Sequence, residues 1–267
     1  MPVTNKFIEI ALKVTGHFED SKDPMGAVSG DFDGMGISLG VLQWNIGSGS
    51  LQPLVLAAGK TAVMNAMPIH GDELWRACNV NIAQGLAIVR AWQSGHQLRN
   101  PIKAELKAFT HSQDFVDQQI RKANTVANHS WDIASDWNAQ TGGGAPTQLE
   151  FCWFFDVMTQ NGGLKGVSPD DVKNFIGQVG SGAVDDLICD WLENRPSSVS
   201  GSKDAAKNAK LWRNGVSASQ LSLFVASYLR SQKSNTAWRV DVLNRKGTIA
   251  LKQGWVHGEK QVLSGLI

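Results

Sequence analysis

Two acidic segments near the amino terminus could carry out acid–base chemistry. The first, residues 16–20, reads Gly-His-Phe-Glu-Asp and places Glu19 just after a predicted apolar helix. The second, residues 31–45, places Asp33 in a glycine-rich loop before a short predicted strand. Two carboxylates in different surroundings can divide the work of glycosidic hydrolysis, because one donates a proton to the leaving oxygen while the other activates water. The pair therefore indicates a glycoside hydrolase.

The surroundings of Glu19 favour the protonated form. The preceding helix is predicted to begin after Thr4 and to end near Gly16, which is a common residue just beyond a helix. Glu19 then lies next to unpaired helix carbonyls, whose partial negative charge disfavours a carboxylate, and Phe18 adds desolvation. Both effects raise the pKa of the glutamate, as a general acid requires. The alternative is an ordinary solvated helix end.

Asp33 is the preferred partner of Glu19, although Asp31 competes with it. Residues two apart on an extended segment point the same way, so either aspartate could act. Asp33 is favoured as the base because Gly34 allows the backbone to approach a ligand, and Ser38 follows on the predicted strand. Asp31 would then orient the loop. Two further alternatives are an Asx-type turn and, more weakly, a calcium loop, which lacks the usual glutamate at position twelve.

These residues resemble a known family. Residues 33–38, Asp-Gly-Met-Gly-Ile-Ser, followed by Gly40 and the Gly-Ser-Gly of 47–49, are similar to the chitosanases of glycoside hydrolase family 46 in the lysozyme superfamily. The resemblance implies that Glu19 is the general acid, Asp33 the general base and Ser38 the group that places the attacking water. Met35 and Ile37 replace an arginine and a tyrosine of the family, and the interval between the two acids is shorter.

A second resemblance covers nearly the whole chain. The chain is similar to chitosanase-like muramidase domains of type VI secretion spikes and of phage lysins, which share the Thr-Gly-His-Phe-Glu helix end, the Gly-x-Gly-Ile-Ser segment, a Gln-Asn-Gly turn and the stretches 241–246 and 256–258. The resemblance implies peptidoglycan glycan strands as the substrate. It also implies a cognate immunity protein or a secretion spike protein as a partner.

Several polar and aromatic residues are candidates for contacting the substrate. Trp44 could form a wall of the cleft or part of the core. Gln160 and Asn161 either end a helix or bind N-acetyl groups, and His257 is open to a similar choice. The predicted substrate-binding residues are Asp31, Gln43, Trp44, Asn45, Gln160, Asn161 and His257. A further expectation is a structural ion pair among Arg239, Asp241 and Arg245.

The remaining sequence predicts an α+β, mostly helical, two-lobed fold of the lysozyme and chitosanase type. The one strong strand signal, residues 28–45, predicts a small sheet beside the cleft. Residues 1–267 are expected to form one catalytic domain, with a hinge near the glycine-rich stretch 138–147. Apolar spacing predicts helices over residues 80–94, 101–109, 115–138, 148–159, 184–193, 205–212, 218–231 and 236–243.

Composition narrows the possible partners and compartments. The net charge of +1 argues against nucleic-acid binding, and no metal or cofactor motif is found. Three cysteines without metal spacing are expected to be buried free thiols, consistent with synthesis in the cytoplasm. The sequence shows no Sec signal and no membrane span. An enzyme of this kind would act on the periplasmic cell wall after delivery by a secretion system or by phage lysis machinery.

Three functions are compatible with the sequence. The first is a peptidoglycan muramidase, expected to invert the anomeric configuration because a helix end and a separate loop can leave room for water between the carboxylates. The second is a chitosanase or related polysaccharide hydrolase. The third is an inactive module that binds the cell wall, and the presence of Glu19, Asp33 and Ser38 together speaks against it.

Overall fold

The computed structural model describes residues 3–18, 23 and 25–267. The chain divides into two compact units, which are described separately. Unit 1 comprises Met1–Val14 and Val126–Ile267, and unit 2 comprises Thr15–Thr125. The stretch 138–147, predicted as a hinge, lies inside unit 1, and its hinge role stays a prediction.

Helices dominate the described structure, with a few small antiparallel sheets, and this confirms the predicted mostly helical α+β class. Two helices, α1 (Asn5–His17) and α7 (Gln113–Gln140), contribute residues to both units. The other elements of unit 2 are β1 (Val28–Ser29), β2 (Ser38–Leu39), β3 (Trp44–Asn45), α2 (Gln52–Ala58), α3 (Lys60–Ala66), α4 (Gly71–Asn79), α5 (Ile82–Arg90), β4 (Gln93–Ser94), β5 (Gln97–Leu98) and α6 (Asn100–Thr110).

The predicted sheet in residues 28–45 is present as three short antiparallel strands in the order β1-β2-β3. Ser38 pairs with Ser29 on one side and with Asn45 on the other, so these three polar residues form a row across the sheet. Leu39 and Trp44 alternate with them and are buried. Ser38 is buried as well, so burial in this segment does not alternate with period two.

A buried amide fixes the turn after β2. Gln119 of α7 accepts a hydrogen bond from the backbone N–H of Val41 at 3.0 Å through Oε1. Its Nε2 donates to the carbonyls of Thr110 at 3.1 Å and Met25 at 3.3 Å. Because its amide bonds three backbone segments, the glutamine ties the small sheet to the helices of unit 2.

Unit 1 is built from helices and one hairpin. It contains α8 (Gln148–Asn161), α9 (Pro169–Val179), α10 (Val184–Glu193), α11 (Ser202–Trp212), α12 (Ala218–Gln232), a 3₁₀ turn (Thr236–Trp238), α13 (Arg239–Leu251), β6 (Gln253–Val256) and β7 (Glu259–Val262). Its core is rich in aromatic rings: Phe7 packs edge-on against Trp131 at 5.3 Å and against Phe151 at 5.7 Å. Trp153 is fully buried and donates from Nε1 to Ser227 at 2.9 Å.

Some element boundaries differ from the sequence prediction. The helix expected over residues 80–94 ends at Arg90, and residues 93–94 form a strand instead. Helices α2, α3, α4 and α9 were not predicted, and the hairpins β4-β5 and β6-β7 were also missed. The short α2 and α3 meet at Gly59, whose positive φ of 93° interrupts the helical path, so neither is long enough to show clear periodicity.

The three cysteines are buried free thiols, as the sequence predicted. Burial raises the pKa of each thiol to about 12, so these groups stay protonated at neutral pH. Within residues 3–18, 23 and 25–267, no helix has both the length and the apolar character needed to cross a bilayer.

Candidate functional site

The structure describes only one of the two predicted catalytic carboxylates. Glu19 lies outside the described residues, so its predicted role as general acid stays a prediction. Asp33 is exposed on the loop between β1 and β2. Its Oδ1 accepts a hydrogen bond from the backbone N–H of Met35 at 3.0 Å, which is the Asx-type turn considered from the sequence. Among the described residues none donates to Oδ2, which is therefore available to water.

Asp31 is held inside the same loop by charge and by the backbone. Its Oδ2 accepts from Nε of Arg90 at 2.7 Å, and its Oδ1 accepts from the backbone N–H of Gly36 at 2.6 Å. Burial alone would raise the pKa of this carboxyl, but the Gly36 N–H and the Arg90 guanidinium outweigh burial and lower it. Asp31 is thus an ionised anchor, which agrees with its predicted role of orienting the loop.

Arg90 and Gln93, which the sequence did not single out, complete the anchor. Arg90 also donates from Nη2 to the carbonyl of Gly34 at 2.9 Å. Gln93 accepts from the backbone N–H of Asp31 at 2.7 Å and donates to the carbonyl of Gly36 at 2.8 Å. We call residues 30–37, held at both ends by these contacts, the acidic loop. The sequence could have indicated Gln93 if helix α5 had been predicted to end before it, because the following Ser94-Gly95 is a turn signal.

An open cavity of about 490 Å³ lies beside the acidic loop. It is lined by Asp31, Phe32, Gly34, Arg90, Gln93, Gly95 and His96. Phe32 is 76% exposed, although large apolar side chains are normally covered. A cavity that combines an exposed ring with charged and amide side chains can hold a sugar: the ring can stack on its apolar C–H face and the polar groups can bond its hydroxyls.

The neighbouring site candidates belong to the small sheet and to the turn between β2 and β3. Ser38 is buried in β2, and its predicted contact with the attacking water stays a prediction. Gln43 accepts from the Ser29 hydroxyl at 2.7 Å and donates to the carbonyl of Gly40 at 3.1 Å. Asn45 accepts from the backbone N–H of Ser48 at 2.8 Å. The Trp44 ring is only 5% exposed, so the structure places it in the core and not in a cleft wall.

Gln160 and Asn161 lie at the end of α8 in unit 1. The helix ends at Gly162 in the left-handed conformation, which confirms the predicted C-cap. Arg230 fixes this turn by donating to the carbonyls of Asn161 and Gly163, both at 2.6 Å. The side-chain Oδ1 of Asn161 is buried and lacks a hydrogen-bond donor.

A buried charge cluster lies next to this turn on α8 and α13. Asp156 accepts from Nη2 of Arg245 at 2.8 Å, and Lys246 donates to both its carboxylate and its carbonyl oxygen. Burial opposes ionisation of Asp156, yet the two cations hold its pKa well below the usual range. Burial lowers the pKa of Lys246 to about 8, with Arg245 acting in the same direction and Asp156 against it. The expected ion pair within residues 239–245 is wrong, since Arg245 reaches across to α8.

His257 occupies the two-residue turn between β6 and β7. His257 and Gly258 have φ values of 55° and 86°, which is the pattern of a type I′ hairpin. The side chain is exposed, and the backbone N–H of Gly258 donates to Asp204 at 2.8 Å. A role of His257 in substrate binding stays a prediction.

Within the described ranges, no group of three or more histidine, cysteine, aspartate or glutamate side chains is arranged to hold a metal ion. Comparisons with protein-family models, curated proteins and solved structures found no significant match. The functional assignment therefore depends on the residues themselves.

Proposed function

We propose that this chain is a peptidoglycan glycoside hydrolase with a lysozyme-like, chitosanase-like fold, in which Asp33 is the general base. The observation that carries the proposal is the acidic loop. Asp31, Arg90 and Gln93 hold its backbone, Phe32 lines the cavity, and Asp33, the next residue along the chain, is exposed. A rigid backbone beneath an exposed carboxylate is what a positioned base needs.

The chemistry follows from the different states of the two loop carboxylates. Asp31 is committed to Arg90 and Gly36, whereas Oδ2 of Asp33 has no donor among the described residues and can take a proton from water. Glu19 would donate the other proton to the leaving oxygen. Water between the acid and the base leads to inversion.

The ligand-contacting side chains fit a neutral N-acetylated sugar. Phe32 offers an exposed ring for an apolar sugar face. A net charge of +1 suits peptidoglycan better than the polycation chitosan, which would be expected to require an acidic cleft.

Purified sacculi test the catalytic assignment. We expect Asp33→Asn and Glu19→Gln each to lower the release of soluble fragments by roughly 10²-fold or more, with unchanged melting temperatures. Asp72→Asn is the matched control in unit 2, because Asp72 makes an exposed ion pair with Lys60 at 3.1 Å. Near wild-type digestion by a folded Asp33→Asn enzyme would refute the assignment.

Product analysis tests the bond and the stereochemistry. New reducing ends at N-acetylmuramic acid identify a muramidase, whereas digestion of chitosan but not of sacculi would replace the proposal with the chitosanase alternative. Anomer-resolved NMR should show inverted first products. Retention would contradict the arrangement of acid, water and base.

The proposal also covers how the enzyme reaches the cell wall and which protein inhibits it. The resemblance to spike-associated domains and phage lysins leads us to propose that the enzyme reaches the periplasm of a target cell through a secretion system or phage lysis. A co-expressed immunity protein should bind and inhibit the enzyme if the secretion route applies. Periplasmic expression that leaves cells intact would contradict the proposed action on the wall.

A further inference from the structure

Unit 1 contains a second polar cavity that the proposed hydrolysis does not use. Its volume is about 340 Å³, and its lining comes from the loop before α11, the start of α13 and the β6-β7 turn. The lining residues with ligand-forming side chains are Ser197, Ser200, Ser202, Asp204, Asp241 and His257. Lys203 also lines the cavity.

Two carboxylates of this cavity have an oxygen without a hydrogen-bond donor. Asp204 is only 6% exposed; its Oδ2 accepts from the Gly258 N–H, but its buried Oδ1 has no hydrogen-bond partner. Lys207 Nζ forms an ion pair with that oxygen at 3.9 Å, which is beyond hydrogen-bonding distance. Oδ2 of Asp241 is likewise buried and unpartnered. Leaving such oxygens unsatisfied is costly, so the pair is suited to a ligand that carries positive charge.

The walls of the cavity are fixed by a buried amide network. Asn208 donates to Asn244 Oδ1 at 3.0 Å and to the carbonyl of Trp255 at 2.9 Å, and it accepts from the Trp255 N–H. Asn244 donates to the carbonyl of Gly201 at 3.0 Å. A side chain at Gly201 would collide with the carboxylate of Asp241, so the loop approaches α13 closely. The two carboxylates are thus held by a rigid frame.

We propose that this cavity binds Ca²⁺ through Oδ1 of Asp204 and Oδ2 of Asp241. Hard divalent cations prefer oxygen ligands, and Ca²⁺ accepts an irregular set of six to eight at 2.3–2.6 Å. The serine hydroxyls and water supply the remaining oxygens. Because both free oxygens are buried, a bare ion reaches them more easily than a sugar hydroxyl does. The site lies outside the acidic loop, and its binding does not require hydrolytic activity.

Calorimetric titration of the chelator-treated full-length protein with CaCl₂ tests the site. We expect one binding event with a dissociation constant on the order of 10⁻⁴–10⁻³ M, and a higher melting temperature in calcium. MgCl₂ should bind more weakly, because Mg²⁺ demands regular octahedral geometry. Equal affinity for Mg²⁺ would overturn the assignment to Ca²⁺, and the absence of heat and of a thermal shift would overturn the site.

Two variants locate the binding. Asp204→Asn and Asp241→Asn should each weaken calcium binding about tenfold or more, since each removes a charged ligand. Without calcium neither variant should melt below the wild type by more than a few degrees, because the lost oxygen accepts no hydrogen bond in the protein. Asp132→Asn, on an exposed position of α7, should bind normally. Undiminished binding in both cavity variants would place the ion elsewhere and overturn the proposal.

Discussion

The acidic loop of unit 2 and the buried cluster of unit 1 both join an aspartate to an arginine, but in different surroundings. Asp31 is buried, whereas its partner Arg90 is about half exposed. Asp156 and Lys246 are completely buried, and Arg245 nearly so. Water screens the pair of Asp31 and Arg90, so the main effect of that pair is to fix the loop. In the buried cluster water cannot replace a lost partner, so the loss of one charge there strongly destabilises the fold.

The largest expected loss of stability is therefore for a substitution in the buried cluster. Asp156→Asn removes the buried carboxylate that both Arg245 and Lys246 bind, and we expect a loss of about 3–5 kcal/mol in the free energy of unfolding. Urea denaturation measures the loss. Asp190→Asn is the control: Asp190 pairs with Arg213 at 2.8 Å but is exposed, so the expected loss is below about 1 kcal/mol. Equal losses in the two variants would remove the distinction between buried and exposed pairs.

Asp31→Asn should have an intermediate effect. Asparagine can still accept a hydrogen bond from the Gly36 N–H, but its amide nitrogen cannot accept one from Arg90. We therefore expect a loss of about 1–3 kcal/mol in the free energy of unfolding. Activity on sacculi should fall partly, because the loop is displaced while the base remains. Asp33→Asn should show the reverse pattern, with stability unchanged and activity nearly abolished. If Asp31→Asn alone abolished activity, the base would be Asp31.

A smaller effect is expected in the pH dependence of stability, and it also comes from the pair of Asp31 and Arg90. The pKa of Asp31 is lower in the folded chain than in the unfolded one, so its stabilisation is complete above the unfolded pKa of about 4 and is lost as pH falls through the folded pKa. The stability difference between the wild type and Asp31→Asn should therefore narrow between about pH 5 and pH 2. Urea titrations across that range measure it. A constant difference would mean that the charge of Asp31 does not stabilise the loop.

The smallest expected effect is at Phe32. Since its ring is exposed, Phe32→Ala should change the free energy of unfolding by no more than about 0.5 kcal/mol. Loss of a stacked sugar should raise KM about two- to tenfold while kcat changes little. Phe32→Trp should keep the wild-type KM. An alanine variant with an unchanged KM would show that the ring does not touch the substrate.

The sequence predicted most of the helices and the first small sheet, missed four helices and two hairpins, and predicted long-range contacts poorly. Apolar periodicity located α10 at Val184–Glu193 because that signal is local. By contrast, no spacing rule links Asp31 to Arg90, 59 residues away, or Asp156 to Arg245, 89 residues away. Such pairs depend on tertiary packing, which also moved Trp44 from a possible site wall into the core.

The buried thiols give each unit an internal reporter of its own opening. Cys78 lies on α4 in unit 2, whereas Cys152 and Cys189 lie on α8 and α10 in unit 1. A protonated, enclosed thiol reacts with an alkylating reagent only while its surroundings are open. The labelling rate of each cysteine, read by peptide mass spectrometry, therefore reports the frequency of local opening. Equal rates at all three positions would mean that the chain opens as one cooperative body, whereas a Cys78 rate that differs from a common rate of Cys152 and Cys189 would mean that the two units open independently.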